Sequence, residues 1–572
     1  MKYINQIQII LNKNLRKVVL FSILTLLTVS CSEDLLDITP ATDISEADIF
    51  ASEDLLEFYV NGRYYSFPHF DFGLQNSDAI SDDVNASSNG AAKAYNQGLT
   101  TPSSGIPQNR WSGDYGNIRD VNFFFSRIDD STIDSDIKTR LTGEMRFIRA
   151  WLYADLVSLY GDVILVTDLP SLDQENFDKA KTPYQEVVNF IVSELDKAVD
   201  ELPDIAFNGR ASKGAALALK ARILLYAASP LHNNGAYDAD KLAQARNAAQ
   251  AVIDLGTFSL EPDYADIFKA PNYSNEIIFA RTFNSEHIPF NLFGVTSADR
   301  YYLPFVYQDV DLGFAQPLQS LVDSYETENG KPINDPTSAY NPQNPYANRD
   351  PRLNKSIIHQ GSIVPGLSGV TDSFDNGDGT ITVTYHKDAG GDDSKNGNSY
   401  TTNLNSSYNI LKRADPSQPL RGIREAYKPW IHFRFAEMYL IVAEAEAELD
   451  NDQKAMDALN VVRNRAGLPD LIGLSGDDLR DRYRNERRVE FAFENLRWYD
   501  ITRWMIAPQV LSTNAYGVDI IRDNSQNPPV DSYSYTTRVL DNNRVWDDKM
   551  YFMPIPFSEI QSNSLLTQNP GY

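Results

Sequence analysis

Cysteine is nearly missing from this sequence: Cys31 stands alone among 572 residues. One thiol forms no internal disulfide and cannot complete a Cys–His zinc set. Histidine is sparse as well. Its six residues lie scattered at 69, 232, 287, 359, 386 and 432, and no HExxH pair occurs. No GxSxG elbow and no P-loop is present, so the sequence carries neither signature of serine hydrolysis nor of phosphate cradling. Positive charge is short: 51 Lys and Arg face 78 Asp and Glu, a net charge of −27. Nucleic acid and anionic membrane surfaces repel such a chain. The segment Asp375-Asn376-Gly377-Asp378-Gly379 has the look of a calcium loop. Its acidic residues miss the alternate positions and no Glu follows at the twelfth, so it reads as a turn. No metal site, cofactor site or catalytic set is expected. A pair of glycosidase carboxylates needs only spatial proximity and leaves no sequence trace.

Aromatics are abundant, with 31 Tyr, 28 Phe and 6 Trp beside 42% apolar and 23% charged residues. That composition is globular, and the length exceeds one ordinary core. Most of the rings must be core, though Tyr at this level also marks ligand surfaces.

The chain is organised around RNERRVEFAFENLRWYDITRW, residues 484–504. Charge fills its first turns; then it becomes apolar almost all round. With no Pro or Gly inside, it predicts one buried helix of about 20 residues, roughly 30 Å long. Its remaining charges, Glu490, Glu494, Arg497 and Arg503, need partners on neighbouring helices, because a lone buried charge is too costly. A structural ion-pair network is the expected role, not catalysis.

Other helices follow from 3.6-residue periodicity: 44–65, 118–128, 141–160 with Gly161 as its cap, 184–202, 212–229, 240–255, 433–449 and 452–466. KARILLYAA (220–228) and FAEMYLIVAEA (435–445) place small and large apolar residues at matching offsets, and a second amphipathic helix follows each. Paired helices of this kind stack into a tetratricopeptide-like superhelix. Residues 66–110 and 260–430 lose periodicity, are rich in Pro, Asn, Gly, Asp and Ser, and read as long loops over the helical base.

The N-terminus carries Lys2, Lys13, Arg16 and Lys17, then an apolar run from Val18 to Val29, then Ser30-Cys31. The run is too short to span a membrane comfortably. It looks like a bacterial lipoprotein signal, although the usual Leu sits one position early, at Leu27. Cleavage would make Cys31 the lipidated first residue. Ser32-Glu33-Asp34 resembles the acidic tag of surface-exposed lipoproteins of the Bacteroidetes.

These stretches occur together in a recognisable order. DLLDITP (34–40) and SDD (81–83) lead to WSGDYGNIRDVN (111–122) and EMRFIRAWLYADLVSLYGDV (144–163). GRASKGAALALKARILLY (209–226), RDPRL (349–353) and LNVVRNRAGL (459–468) follow, with MPIPFSEIQSNSLLTQNPGY (553–572) at the end. Over nearly its whole length the chain resembles the SusD/RagB family of Bacteroidetes outer-membrane lipoproteins. The resemblance implies a mainly α fold, a right-handed tetratricopeptide-like scaffold carrying an irregular, loop-rich half. Its expected parts are a signal peptide (1–30), a tether (31–45) and one SusD-like domain (46–572). Scaffold would fill mainly 46–65, 118–255 and 432–504, and ligand-side loops 66–117 and 260–430.

The resemblance also implies a non-enzymatic glycan binder on the cell surface, anchored in the outer membrane by Cys31, with a SusC-like TonB-dependent transporter as partner. A surface glycosidase, or the same lid with a peptide or other non-glycan ligand, remain alternatives. Sugars offer apolar faces and ring hydroxyls, which proteins meet with exposed aromatics and with Asn, Asp and Arg. Two stretches have that chemistry: residues 64–72 leading into Asp78, Asp82 and Asp83, and Arg300-Tyr301-Tyr302-Leu303-Pro304-Phe305-Val306-Tyr307. The expected ligand residues are Arg300, Tyr301, Tyr302, Tyr307 and Asp82, with Tyr95 and Asn96 in the loop before Trp111.

Overall fold

A computed structural model describes residues 44–572 apart from 69–76, 86–89, 104–107, 170–177, 206–208, 270–272, 283–315, 366–372, 376–379, 384–386, 389–405, 413–428 and 523–531. The leader, Cys31 and Arg300 to Tyr307 therefore lie outside the described residues. The helices that matter here are α1 (Glu53–Arg63), α2 (Gln108–Arg127), α3 (Ser135–Tyr160), α4 (Tyr184–Glu201), α5 (Lys213–Ala228) and α6 (Ala239–Asp254). Far downstream come α7 (Phe435–Glu448), α8 (Asp452–Ala466), α9 (Gly476–Glu490) and α10 (Arg497–Arg503).

From α2 to α8 each of these helices packs on the next, α7 lying against α6 across an intervening stretch of about 180 residues. This is the expected stack of helix pairs, and the fold is mainly α. Local chemistry sets the boundaries. Ser212 accepts from the Ala215 N–H and starts α5; Asp238 does the same for α6 through Lys241. Such caps satisfy amide groups that the first turn leaves without partners. Gly161 ends α3 at φ +72°, a conformation glycine adopts freely. The sides of α5 are small residues, so its neighbours approach closely: Ala215, Ala216, Ala218 and Ala221 are all fully buried.

Several expectations need correction: the helix expected over 118–128 already starts at Gln108, and that expected over 141–160 starts at Ser135. The predicted helix over 44–65 is broken at Ser52, which closes Glu46–Ala51 and caps α1. The predicted strut 484–504 is likewise not one helix. α9 stops at Glu490, a turn spans 491–495, and α10 begins at Arg497. Phe493 and Asn495 sit at φ +64° and +63°, outside the helical region. Hydrophobic pattern alone does not reveal this. The turn lies where two cores meet, and they ask for different side-chain directions. Phe491, Leu496 and Trp498 join the large helical core, whereas Val489, Ala492 and Phe493 join a second core under the loop-rich half. A straight helix could not serve both. The turn is also pinned from outside, because the Asn495 N–H donates to Asp78 and Ser77 Oγ donates to the Asn495 carbonyl.

The loop-rich half is built from short pieces. β1 (Ile277–Arg281) and β2 (Trp430–Arg434) pair antiparallel, with Trp430 opposite Arg281. They bring the two ends of the long insertion together at the scaffold. A C-terminal hairpin, β3 (Ala515–Arg522) with β4 (Tyr533–Asp541), was not anticipated, although YSYTTRV has the aromatic and β-branched content of a strand.

The buried charges of 484–504 do find partners, some on neighbouring helices (Arg465 on α8, Glu444 on α7) and others outside them (Asp82, Lys412, Arg434). Glu490 meets Arg352, Arg434 and Arg465; Glu494 meets Arg434 and Lys412; Arg497 meets Asp82; Arg503 meets Glu444 and Asp500. Arg352, Arg434 and Lys412 come from the loop-rich half. The network thus fastens that half to the scaffold.

Candidate functional site

Tyr64-Tyr65-Ser66-Phe67-Pro68 follows α1 and runs toward β1 and β2. The structure divides this aromatic run by role. Phe67 is fully buried against Phe147, Trp151 and Phe279. The Tyr64 hydroxyl donates to Glu144 and accepts from the Ala211 N–H. Tyr65 is different: it is 73% exposed. The Arg281 guanidinium lies 4.6 Å from its ring centre and donates to the Phe67 carbonyl at 2.6 Å. An exposed ring held by a stacked arginine is rigid and amphipathic, the kind of surface a sugar ring can lie on. His69, Phe70, Asp71 and Phe72 lie outside the described residues.

Three expected ligand residues turn out to be framework. Tyr95 is fully buried; its hydroxyl donates to the Met550 carbonyl at 2.8 Å and accepts from Trp498 Nε1 at 2.9 Å. Asn96 is buried and donates to the Ala79 carbonyl. Asp82 is 6% exposed and takes both arms of the Arg497 fork, at 2.8 and 3.0 Å, with Arg488 also at 3.0 Å. Burial alone would raise the Asp82 carboxyl, but Arg488 and Arg497 outweigh it and hold it well below the usual range. All three are buried, and the polar atoms of Tyr95 and Asp82 are taken by partners within the protein. A loop rich in Asn, Asp and Tyr reads as a wet surface in sequence, and only packing reveals that it is swallowed. Arg300, Tyr301, Tyr302 and Tyr307 lie outside the described residues.

Beside Pro68 and Ser77 opens a cleft of about 150 Å³ between α3, α5, β2 and the 491–495 turn. Its walls include the rings of Trp151, Tyr226, Trp430 and Tyr499, and Tyr226 and Tyr499 stack at 6.1 Å and 23°. Arg110 and Asp155 lie on the wall as a bidentate pair, at 2.9 and 2.5 Å. Arg222 also lines it but is held by Glu437 at 2.8 and 2.6 Å. Buried next to Asp155 is Asp114. Burial, and then the Asp155 charge, push its carboxyl well above the usual range. Sequence reading placed Tyr226, Asp155 and Trp151 on scaffold helices and passed over them. Their inward periodicity is the same whether they line a core or a cleft.

A second, larger groove of about 660 Å³ runs past β1, with Arg210, Phe258, Tyr273 and Asn275 on its walls. Among the described residues no cluster of His, Cys, Asp or Glu is arranged to hold a metal, and no helix is long and apolar enough to cross a membrane.

Comparison with known proteins bears on the whole chain. Residues 275–572 match the model described as the SusD family, and residues 34–225 match one described as starch-binding associating with outer membrane. A SusD-like protein of Bacteroides ovatus is 25% identical over 588 aligned positions, covering 97% of each chain. Among solved structures, a SusD-like protein of Bacteroides fragilis superposes with a TM-score of 0.75 at 30% identity, over 93% of this chain and all of the other. A SusD-like carbohydrate binding protein of the same species gives 0.69 at 22% identity, over 91% and 100%.

Proposed function

This chain belongs to the SusD family, and from that membership we propose that it is a glycan-binding lipoprotein of the cell surface. It captures oligo- or polysaccharide and delivers it to a SusC-like TonB-dependent transporter in the outer membrane. The observation that carries the reading is the family match across both halves of the chain. The description of the N-terminal match, starch-binding with outer-membrane association, supports both the ligand class and the location. Lipidated Cys31 supplies the anchor, and the tag after it directs the protein to the outer face.

The ligand face in this proposal is the rim at Tyr65 and Arg281, and Arg300, Tyr301, Tyr302 and Tyr307 are proposed as ligand residues from their side-chain chemistry alone. Binding on such an open platform is weak per site, on the order of 1 mM or about 4 kcal/mol. An anchored protein beside its transporter compensates through effective concentration. The protein acts as a binder and performs no chemistry on the glycan.

A glycan array followed by product analysis tests this reading. Retention of one glycan class without turnover is expected. Cleavage of the retained glycan would make the protein a glycosidase, and retention of peptides alone would change the ligand class. For location, Cys31→Ala should release the protein into the soluble fraction and hide it from protease on intact cells. A variant still exposed on the outer membrane would remove the lipid anchor from the proposal.

A further inference from the structure

The cleft holding Tyr226 adjoins the open rim through Trp430, which pairs with Arg281, but it is lined by neither Tyr65 nor Arg281 and is different in kind. Tyr226 is 7% exposed, and its hydroxyl finds no hydrogen-bond partner among the described residues. An orphan buried hydroxyl is a standing cost that a bound polar group would remove. The walls are aromatic, as a sugar's apolar faces require. Every charged side chain lining the cleft is already paired within the protein: Arg110 with Asp155, Arg222 with Glu437, Glu494 with Arg434 and Lys412. The cleft therefore presents polarity without net charge. Its volume of about 150 Å³ equals roughly five waters and is below the 300–1,000 Å³ of a drug-sized site. That size excludes a chain segment of several sugars and limits any ligand to about one ring.

We propose that this cleft is a second binding site that takes a single neutral sugar ring, either free or as the terminal unit of a captured chain. The proposal rests on the glycan-binding reading above and adds to it a preference for chain ends. The Tyr226 hydroxyl makes a hydrogen bond to a ring hydroxyl. Remaining Asp155 lone pairs accept others and Arg110 N–H groups donate, and Tyr499, the less buried of the two stacked rings, covers the apolar face. Burial raises the Tyr226 phenol to about 12, so it remains a donor at any physiological pH.

The test uses the mature full-length protein and isothermal titration with D-glucose, D-galactose, D-mannose, D-xylose and D-glucuronate. One neutral sugar should bind, and glucuronate should bind at least tenfold more weakly. Tyr226→Phe removes only the hydroxyl and should weaken that sugar about three- to tenfold. Ala154→Leu, which fills the cleft from α3, should abolish its binding. Tyr65→Ala should leave it unchanged while weakening the oligosaccharide found by array. The inference is overturned if no monosaccharide binds and both cleft variants hold the oligosaccharide as well as the parent does. That result leaves the surface-binding reading standing. Monosaccharide binding that depends on Tyr226, with no oligosaccharide retained, supports the cleft and refutes the rim. A Tyr226→Phe variant that melts higher and binds every sugar like the parent marks a packing defect, and sinks the proposal.

Discussion

Replacing Glu490 with Ala should destabilise the protein through charge left without a counter-ion. Glu490 is fully buried; its oxygens meet Arg352 at 2.7 Å and Arg434 at 2.6 Å, and Arg465 also pairs with it. The pairs extend outward. Arg352 also binds Asp350 and Glu486, Arg434 binds Glu276 and Glu494, Arg465 binds Glu276, and Lys412 binds Glu494. Arg463 joins Glu486 to Glu326, which Arg482 also holds. Six carboxylates (Glu276, Glu326, Asp350, Glu486, Glu490, Glu494) thus alternate with six basic groups (Arg352, Lys412, Arg434, Arg463, Arg465, Arg482). Removing Glu490 leaves one buried positive charge in excess, at a cost of about 3–5 kcal/mol. Unfolding entropy of about 2.1 cal/mol/K per residue gives a chain of this length roughly 1.1 kcal/mol/K, so the melting temperature should fall by about 3–5 °C. Calorimetry of the mature protein measures it. The decisive comparison is Glu490→Ala with Arg465→Ala. The double variant restores the balance and should melt no lower than Glu490→Ala alone, a coupling of about 2–3 kcal/mol. Additive losses would refute the counter-ion argument. A folded Glu490→Ala variant of unchanged stability that had lost only glycan binding would reverse the structural reading of this segment altogether.

Tyr95→Phe should leave Trp498 Nε1 and the Met550 carbonyl without a partner, cost about 1–3 kcal/mol and not alter glycan affinity; lost affinity at unchanged stability would return Tyr95 to the ligand site. Tyr301→Ala with Tyr302→Ala should remove oligosaccharide binding and keep the melting temperature within a few degrees; unchanged affinity in titration would place the site elsewhere. Burial, helped by Arg349, holds His359 down to about 4 against 6.5 unfolded. Below pH 6.5 the unfolded chain takes up a proton that the native ring refuses, so stability falls by up to roughly 1.4 kcal/mol per pH unit until about pH 4. His359→Gln should flatten melting temperature against pH in that window by one proton's worth, and an identical slope would show that the ring titrates freely. For Glu490, Arg465, Arg434 and Arg352 together outweigh burial and hold the carboxyl well below 4.5. Its contribution is present above pH 4.5 and is lost only as pH falls toward that depressed value.

By itself the sequence determined the scaffold. Helical periodicity placed α4 to α8 within two residues of their ends, because a long helix with one buried face writes that face into its own repeat. Its alanine runs foretold close packing, and the need of buried charge for partners foretold an ion network around 484–504. Tertiary structure alone decided the rest. It broke the predicted strut at Phe493 and Asn495, where the segment serves two cores, and it supplied Arg352, Arg434 and Lys412 from distant loops. It also buried Tyr95, Asn96 and Asp82, which read as a wet loop, and left Tyr65 exposed one residue from half-buried Tyr64 and two from buried Phe67. Whether a Tyr or Asp ends in solvent depends on what packs over it, and those contacts come from residues hundreds of positions away. Local pattern has no access to them. For the same reason the orphan hydroxyl of Tyr226, inside an ordinary Ala-rich helix, becomes visible only when four separate segments close around it.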